Sequence, residues 1–137
     1  MKPTLQRQSG VALLESLLAV LVLAIGLIGT IGLQARAFSA LSDASMRAEA
    51  TMASDKLLGL MSNDYGNLAQ YALASGAAPS ASLATWYAET RTAIPGAVIV
   101  ITVVPAAAMT TVTTSISWTR KAGEVANTHQ MTSYLSP

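Results

Sequence analysis

Between Val11 and Leu33 the chain reads VALLESLLAVLVLAIGLIGTIGL, 23 residues with one ionisable side chain, Glu15. At about 1.5 Å per helical residue such a stretch reaches roughly 34 Å, enough to cross a hydrocarbon core about 30 Å thick. It reads as a membrane-spanning helix. A charge at the centre of a span costs about 2.5–3.5 kcal/mol and less near an end, so an acid held there points to function. Glu15 needs a partner.

The span and what precedes it use up a quarter of a 137-residue chain. Residues 62–137 must then form a head of a size at which burial alone gives marginal stability, and packing on a long helix helps. Charged residues make up 11% and hydrophobic ones 52%, with a net charge of +1. That balance gives no footprint for nucleic acid. The chain has no cysteine, which excludes disulfide staples, thiolate catalysis and cysteine-ligated metals while leaving the compartment open.

Residues 1–10 are polar and short, carry Lys2 and Arg7 as their charged side chains, and abut the apolar run without a spacer. Positive charge of this kind stays cytoplasmic. Arg36 beyond the span is diluted by Asp43 and Glu49, so the expected orientation puts the N-terminus inside and the C-terminus outside. A secretory signal would use Ala35-Arg36-Ala37 as its small-x-small site, but its apolar region would run far beyond the usual ~7–15 residues and would contain an acid. A plain signal anchor explains the length and leaves Glu15 and the Ser9-Gly10 junction without a reason.

Gly10 followed by Val11-Ala12-Leu13-Leu14-Glu15 resembles the class III signal of type IV pilins and pseudopilins. In that family a prepilin peptidase cuts after a glycine on the cytoplasmic side of the apolar helix, and the acid is fifth after the cut. The new N-terminus is usually phenylalanine and becomes N-methylated; here it is Val11, a departure that bears on methylation more than on cleavage. Cutting there would remove Lys2 and Arg7 and leave six basic and seven acidic side chains. It would also create an α-amine, protonated at neutral pH (reference pKa about 8) and set among apolar residues. The resemblance implies that Glu15 of an incoming subunit meets that amine on its neighbour and fixes axial register. Two desolvated charges made tolerable by each other suit register better than net stability.

Gly26, Gly29 and Gly32 fall three apart in the span. Small residues on one face permit close helix approach, and the same glycines cost about 1 kcal/mol each against alanine. Ordinary glycine content of membrane helices explains them equally well.

Beyond Leu33, the positions Ala37, Leu41, Ala44, Ala48 and Met52 follow i, i+3 and i+4 spacing, which predicts an amphipathic continuation with this stripe as its apolar face. Asp43 and Arg47 on the other side form an expected i, i+4 pair. No proline or glycine interrupts residues 34–56, so one helix is expected from about Val11 to about Met61. Asp55 falls on the apolar side and has no catalytic partner in view. The cluster Ser62-Asn63-Asp64-Tyr65-Gly66-Asn67 ends that helix, and residues 68–82 read as a loop with a short helix at 68–74. Ser82 is the expected cap of a second helix over 83–93, with Trp86 and Tyr87 as core anchors, stopped by Ile94-Pro95-Gly96.

The period then changes. Residues 97–104, AVIVITVV, are a continuous β-branched run that predicts a buried strand closed by Pro105. Residues 111–118 alternate Val112, Thr114, Ile116 and Trp118 against Thr111, Thr113, Ser115 and Ser117, the pattern of a half-buried strand. Arg120-Lys121-Ala122-Gly123 predicts a hairpin turn, and residues 125–135 a third strand. The sole histidine, His129, lies there as an exposed or edge residue rather than a ligand. The fold class is α+β: a long helical spine packed against a small antiparallel sheet. The divisions are a leader at 1–10, the spanning helix at 11–33, its amphipathic continuation at 34–61, and a globular head at 62–137.

Taken in order, the glutamate-bearing span, the ATMASDKLLGLMSND helix exit, the Trp86 helix leading to Ile94-Pro95-Gly96, the β segment ending in Ser117-Trp118, and the terminal Thr132-Ser133-Tyr134-Leu135 are similar to PilV-type minor pilins. The resemblance covers most of the chain after Gly10, and its specific part is the first third. It implies a non-enzymatic subunit of the complex that primes type IV pilus assembly, placed at the fibre tip and serving twitching motility and surface attachment. It implies prepilin peptidase cleavage at Gly10 and Val11, possible N-methylation of Val11, and an assembly role for Glu15. The implied partners are the peptidase, other minor pilins and the major pilin through the N-terminal helix, and an inner-membrane assembly platform. The implied location is the bacterial inner membrane as a single-pass prepilin with a periplasmic head, then the fibre. No catalytic residue, cofactor or metal ligand is implied.

A minor pseudopilin of a type II secretion system would share leader, glutamate and fold. A membrane-anchored periplasmic binding module is a reading from another class, with the 68–82 loop as its contact. An anchored enzyme is disfavoured, because one histidine, no cysteine and no clustered acids leave seryl chemistry without a base or an orienting acid.

Overall fold

A computed structural model of the chain describes residues 9–120 and 123–137. In chain order it contains helix α1 (Ser9–Asn63), a 3-10 segment (Tyr65–Tyr71), helix α2 (Ala81–Ala93) and strands β1 (Val98–Val104), β2 (Thr110–Trp118) and β3 (Asn127–Leu135). The chain divides into two compact units, one ending at Ser42 and the other Asp43–Pro137.

The first unit is the N-terminal part of α1, and every residue from Val11 to Phe38 is exposed. Its glycines weaken the helix without breaking it, since α1 runs through all three. Its hydroxyls are satisfied inside the helix: Ser16 Oγ donates to the Ala12 carbonyl and Thr30 Oγ1 to the Leu27 carbonyl, each at 2.8 Å. A polar group bonded in this way can sit in apolar surroundings at little cost.

In the second unit the remaining turns of α1 lie against the sheet. The buried positions are Ala50, Ser54, Leu57 and Met61, spaced i, i+4, i+7 and i+11 as one helix face requires. This corrects the expected stripe, whose members Ala37, Leu41, Ala44, Ala48 and Met52 are all exposed. Alanines occupy several sides of this helix, and Ser54 hides an inward position by bonding its hydroxyl to the Ala50 carbonyl at 2.9 Å. Asp55, adjacent to the stripe, is exposed. The expected Asp43–Arg47 pair gives way to longer-range partners: Arg120 Nε lies 3.0 Å from Asp43 Oδ1, and Arg47 donates to Asn127 Oδ1 at 3.2 Å.

The turn cluster ends α1 as expected, but the short helix is a 3-10 segment at Tyr65–Tyr71 rather than a helix at 68–74. Helix α2 begins two residues earlier than expected, and its cap position is Ser80, not Ser82, without a side-chain capping bond. Ser82 instead reaches Gln70 Oε1 at 3.4 Å. Trp86 is buried and its Nε1 donates to the Ala53 carbonyl at 2.8 Å, tying α2 to α1. Tyr87 is only half-buried. Gly96, at φ +76°, supplies the left-handed turn that leads from α2 to β1.

The sheet is antiparallel in the order β1-β2-β3. Central β2 alternates as its sequence predicts, with Val112, Thr114, Ile116 and Trp118 turned into the core. Strand β1 is not buried on both faces: Ile99 and Ile101 are inside while Val98 and Val104 are exposed, because it is an edge strand of a sheet covered on one side. Its outer edge is bridged by Leu73, which exchanges two backbone bonds of 2.9 Å with Ile101. Strand β3 starts at Asn127 rather than at Val125, which is 92% exposed in the connection. Of the expected turn residues, Lys121 and Ala122 lie outside the described residues, and Gly123 has φ +87°.

Candidate functional site

The residues singled out by the sequence sit in the first two turns of α1. Gly10 and Val11 are both helical, and Val11 is 67% exposed. Glu15 is one turn after Val11, on the same helix face. It is exposed, and among the described residues no cation forms an ion pair with it. Residues 1–8 of the expected leader, Lys2 and Arg7 included, lie outside the described residues. Gly26, Gly29 and Gly32 face open space: a Cβ built at any of them meets nothing within 4 Å. Among the described residues nothing makes use of the close approach these glycines permit.

By length and composition α1 can cross a membrane, with a mean hydropathy of 2.7 over its most apolar window. Its large side chains from Val11 to Leu33 are each more than half exposed. Burying such surface is worth about 25 cal/mol per Å², and no described residue buries it.

Among the described residues no group of three or more His, Asp or Glu could hold a metal. His129 lies on β3 opposite Ile116, half-buried and turned toward the core, with Nε2 unbonded to any described group; it is an edge residue, as expected, but not an outward one. Asp43 is engaged by Arg120, which also lies 3.9 Å from Glu124. Tyr71 donates to Asp64 Oδ2 at 3.1 Å. Burial, then the hydrogen bond and the negative charge of Asp64, push the Tyr71 hydroxyl above its ordinary pKa.

Sequence spacing gave no sign of a groove between α1 and α2, about 200 Å³ in volume, lined by Glu49, Met52, Trp86 and the Lys56–Glu89 ion pair. Its walls come from residues more than 30 positions apart, so no local period marks it. Comparison with protein-family models, characterised proteins and solved structures finds no match for this chain.

Proposed function

We propose that the chain is a minor type IV pilin, a non-enzymatic subunit held in the bacterial inner membrane by α1, trimmed after Gly10, and assembled through that helix with other pilins to start a fibre and sit near its tip. One observation carries this reading. An uninterrupted helix exposes some twenty apolar residues with a single carboxylate among them, which no described cation pairs, and continues into a small α+β unit. Lipid would cover such surface before assembly and neighbouring helices after it. Glu15 would then be matched by the α-amine that cleavage frees on an adjoining subunit, each charge making the other tolerable away from water. The orientation follows from Lys2 and Arg7, with the head in the periplasm.

The test is made in cells with an active prepilin peptidase. Protein recovered from membranes should begin at Val11, and intact mass will report any added methyl group. A Glu15→Ala variant should insert and be trimmed normally but fail to enter the fibre. Normal piliation by that variant, or a native chain that still begins at Met1, would sink the proposal.

A further inference from the structure

Strand β3 is nine residues long, pairs with β2 through nine consecutive partners without a bulge, and has no described neighbour on its other side. A strand so placed presents alternate N–H and C=O groups in a row, and natural proteins usually blunt such an edge with charge, proline, a bulge or cover. The sequence NTHQMTSYL has none of the first three. The core also stops short here: Val112, Thr114 and Ile116 are buried on β2, whereas their β3 partners Ser133, Met131 and His129 are only half-buried. The opposite edge differs, since Leu73 takes both bonds of Ile101 on β1 and Pro105 follows the strand.

We propose that the open edge of β3 accepts an extended, uncharged strand from a subunit of another kind, which lengthens the sheet by one strand. Main-chain bonds would supply the affinity, and apolar side chains on the core-facing side the specificity. The edges themselves argue against a second copy. Copies stacked in one direction would have to pair β3 with β1, and Leu73 already bridges that edge at Ile101. Two-fold pairing of β3 with β3 would set the Asp43–Asn63 helices antiparallel, so the two chains would enter their heads from opposite sides. Excluding that arrangement rests on the filament reading, in which every subunit is anchored from the same side.

The probe is the synthetic peptide TTVTTSISW, the sequence of β2. The register of β2 against β3 shows that this alternation matches β3 residue for residue, and the same strand translated across β3 would again turn its apolar residues to the core side. Amide exchange is followed in the full chain in detergent micelles. With peptide, alternate amides within β3 should exchange about tenfold more slowly, the protection of roughly one added hydrogen bond. A peptide with proline in place of its central threonine should give no protection. A Met131→Lys variant should keep the fold, its stem lying along the half-open core with the ammonium in water, and should refuse the peptide because an added strand would bury that charge. No slowing, or equal slowing with the proline peptide or in a folded Met131→Lys protein, would overturn the proposal. So would β3 amides already protected in a dimer of the chain alone. If Met131→Lys fails to fold, the two peptides decide. Because Glu15 is intact throughout, failure at β3 is distinct from failure of the Val11 start or of the Glu15→Ala phenotype.

Discussion

Tyr71 sits where the 3-10 segment meets the core, with its ring buried and its hydroxyl on Asp64, which also receives a 2.7 Å bond from Asn67 Nδ2. Ionising that hydroxyl in the folded protein would place a second negative charge beside Asp64 in a partly buried site. The folded-state pKa therefore lies above the unfolded value of 10.0. Below that pH both states keep the proton, and the contribution to stability is complete. As pH rises through the unfolded value the unfolded chain ionises first, so stability falls until the folded-state value is passed. Urea unfolding from pH 8 to 11 should show this decline, and Tyr71→Phe should flatten it. At neutral pH the same variant should lose about 0.5–1.5 kcal/mol, the net worth of one hydrogen bond. An unchanged alkaline slope in the phenylalanine protein would assign the decline to other groups.

At the scale of elements, α1 divides its side chains in a way its sequence only half declares. Leu57 is 1% exposed in the core, whereas Met52, on the stripe that the spacing favoured, is 56% exposed. Leu57→Ala should cost about 2–5 kcal/mol, the range for emptying a packed leucine site. Met52→Ala should stay within about 0.5 kcal/mol. Chemical denaturation of both variants checks the assignment, and the reverse order would restore the stripe. The helix itself was legible because nothing between Val11 and Met61 breaks it, and β2 was legible because its period of two is strict. The inward face was not, since Ala44, Ala48, Ala50 and Ala53 make several sides of the helix equally plausible and Ser54 conceals its burial in a local bond. Strand β1 misled for a related reason: an edge strand can keep β-branched residues on its open face. Gly10, Val11 and Glu15 were singled out by the resemblance their order carries, and all three lie in the first two turns of α1. The α-amine proposed as the partner of Glu15 would belong to an adjoining subunit, so one chain would not display it. The β3 edge left no trace in the sequence except an absence of charge.

At the scale of the whole molecule, the two units differ in what they require of their surroundings. Among the described residues every fully buried side chain lies at or beyond Ala50, inside the Asp43–Pro137 unit. The Asp43–Arg120 and Arg47–Asn127 contacts, which hold the β2–β3 connection and the start of β3 to α1, also fall inside that unit. By contrast, the large apolar side chains from Val11 to Leu41 are exposed throughout, a surface that in water drives association. A chain reduced to residues 43–137 should therefore stay monomeric without detergent and unfold in one cooperative transition. Its stability should match that of the same unit in the full chain to within about 0.5 kcal/mol, the scale of a surface change. The full chain should need detergent or lipid to remain dispersed. Sedimentation and denaturant titration of both, with and without micelles, give the comparison. A shortened chain that aggregates or melts without cooperativity would mean that the apolar helix is part of the head's own core, and a full chain that stays dispersed in plain buffer would remove the physical case for a membrane.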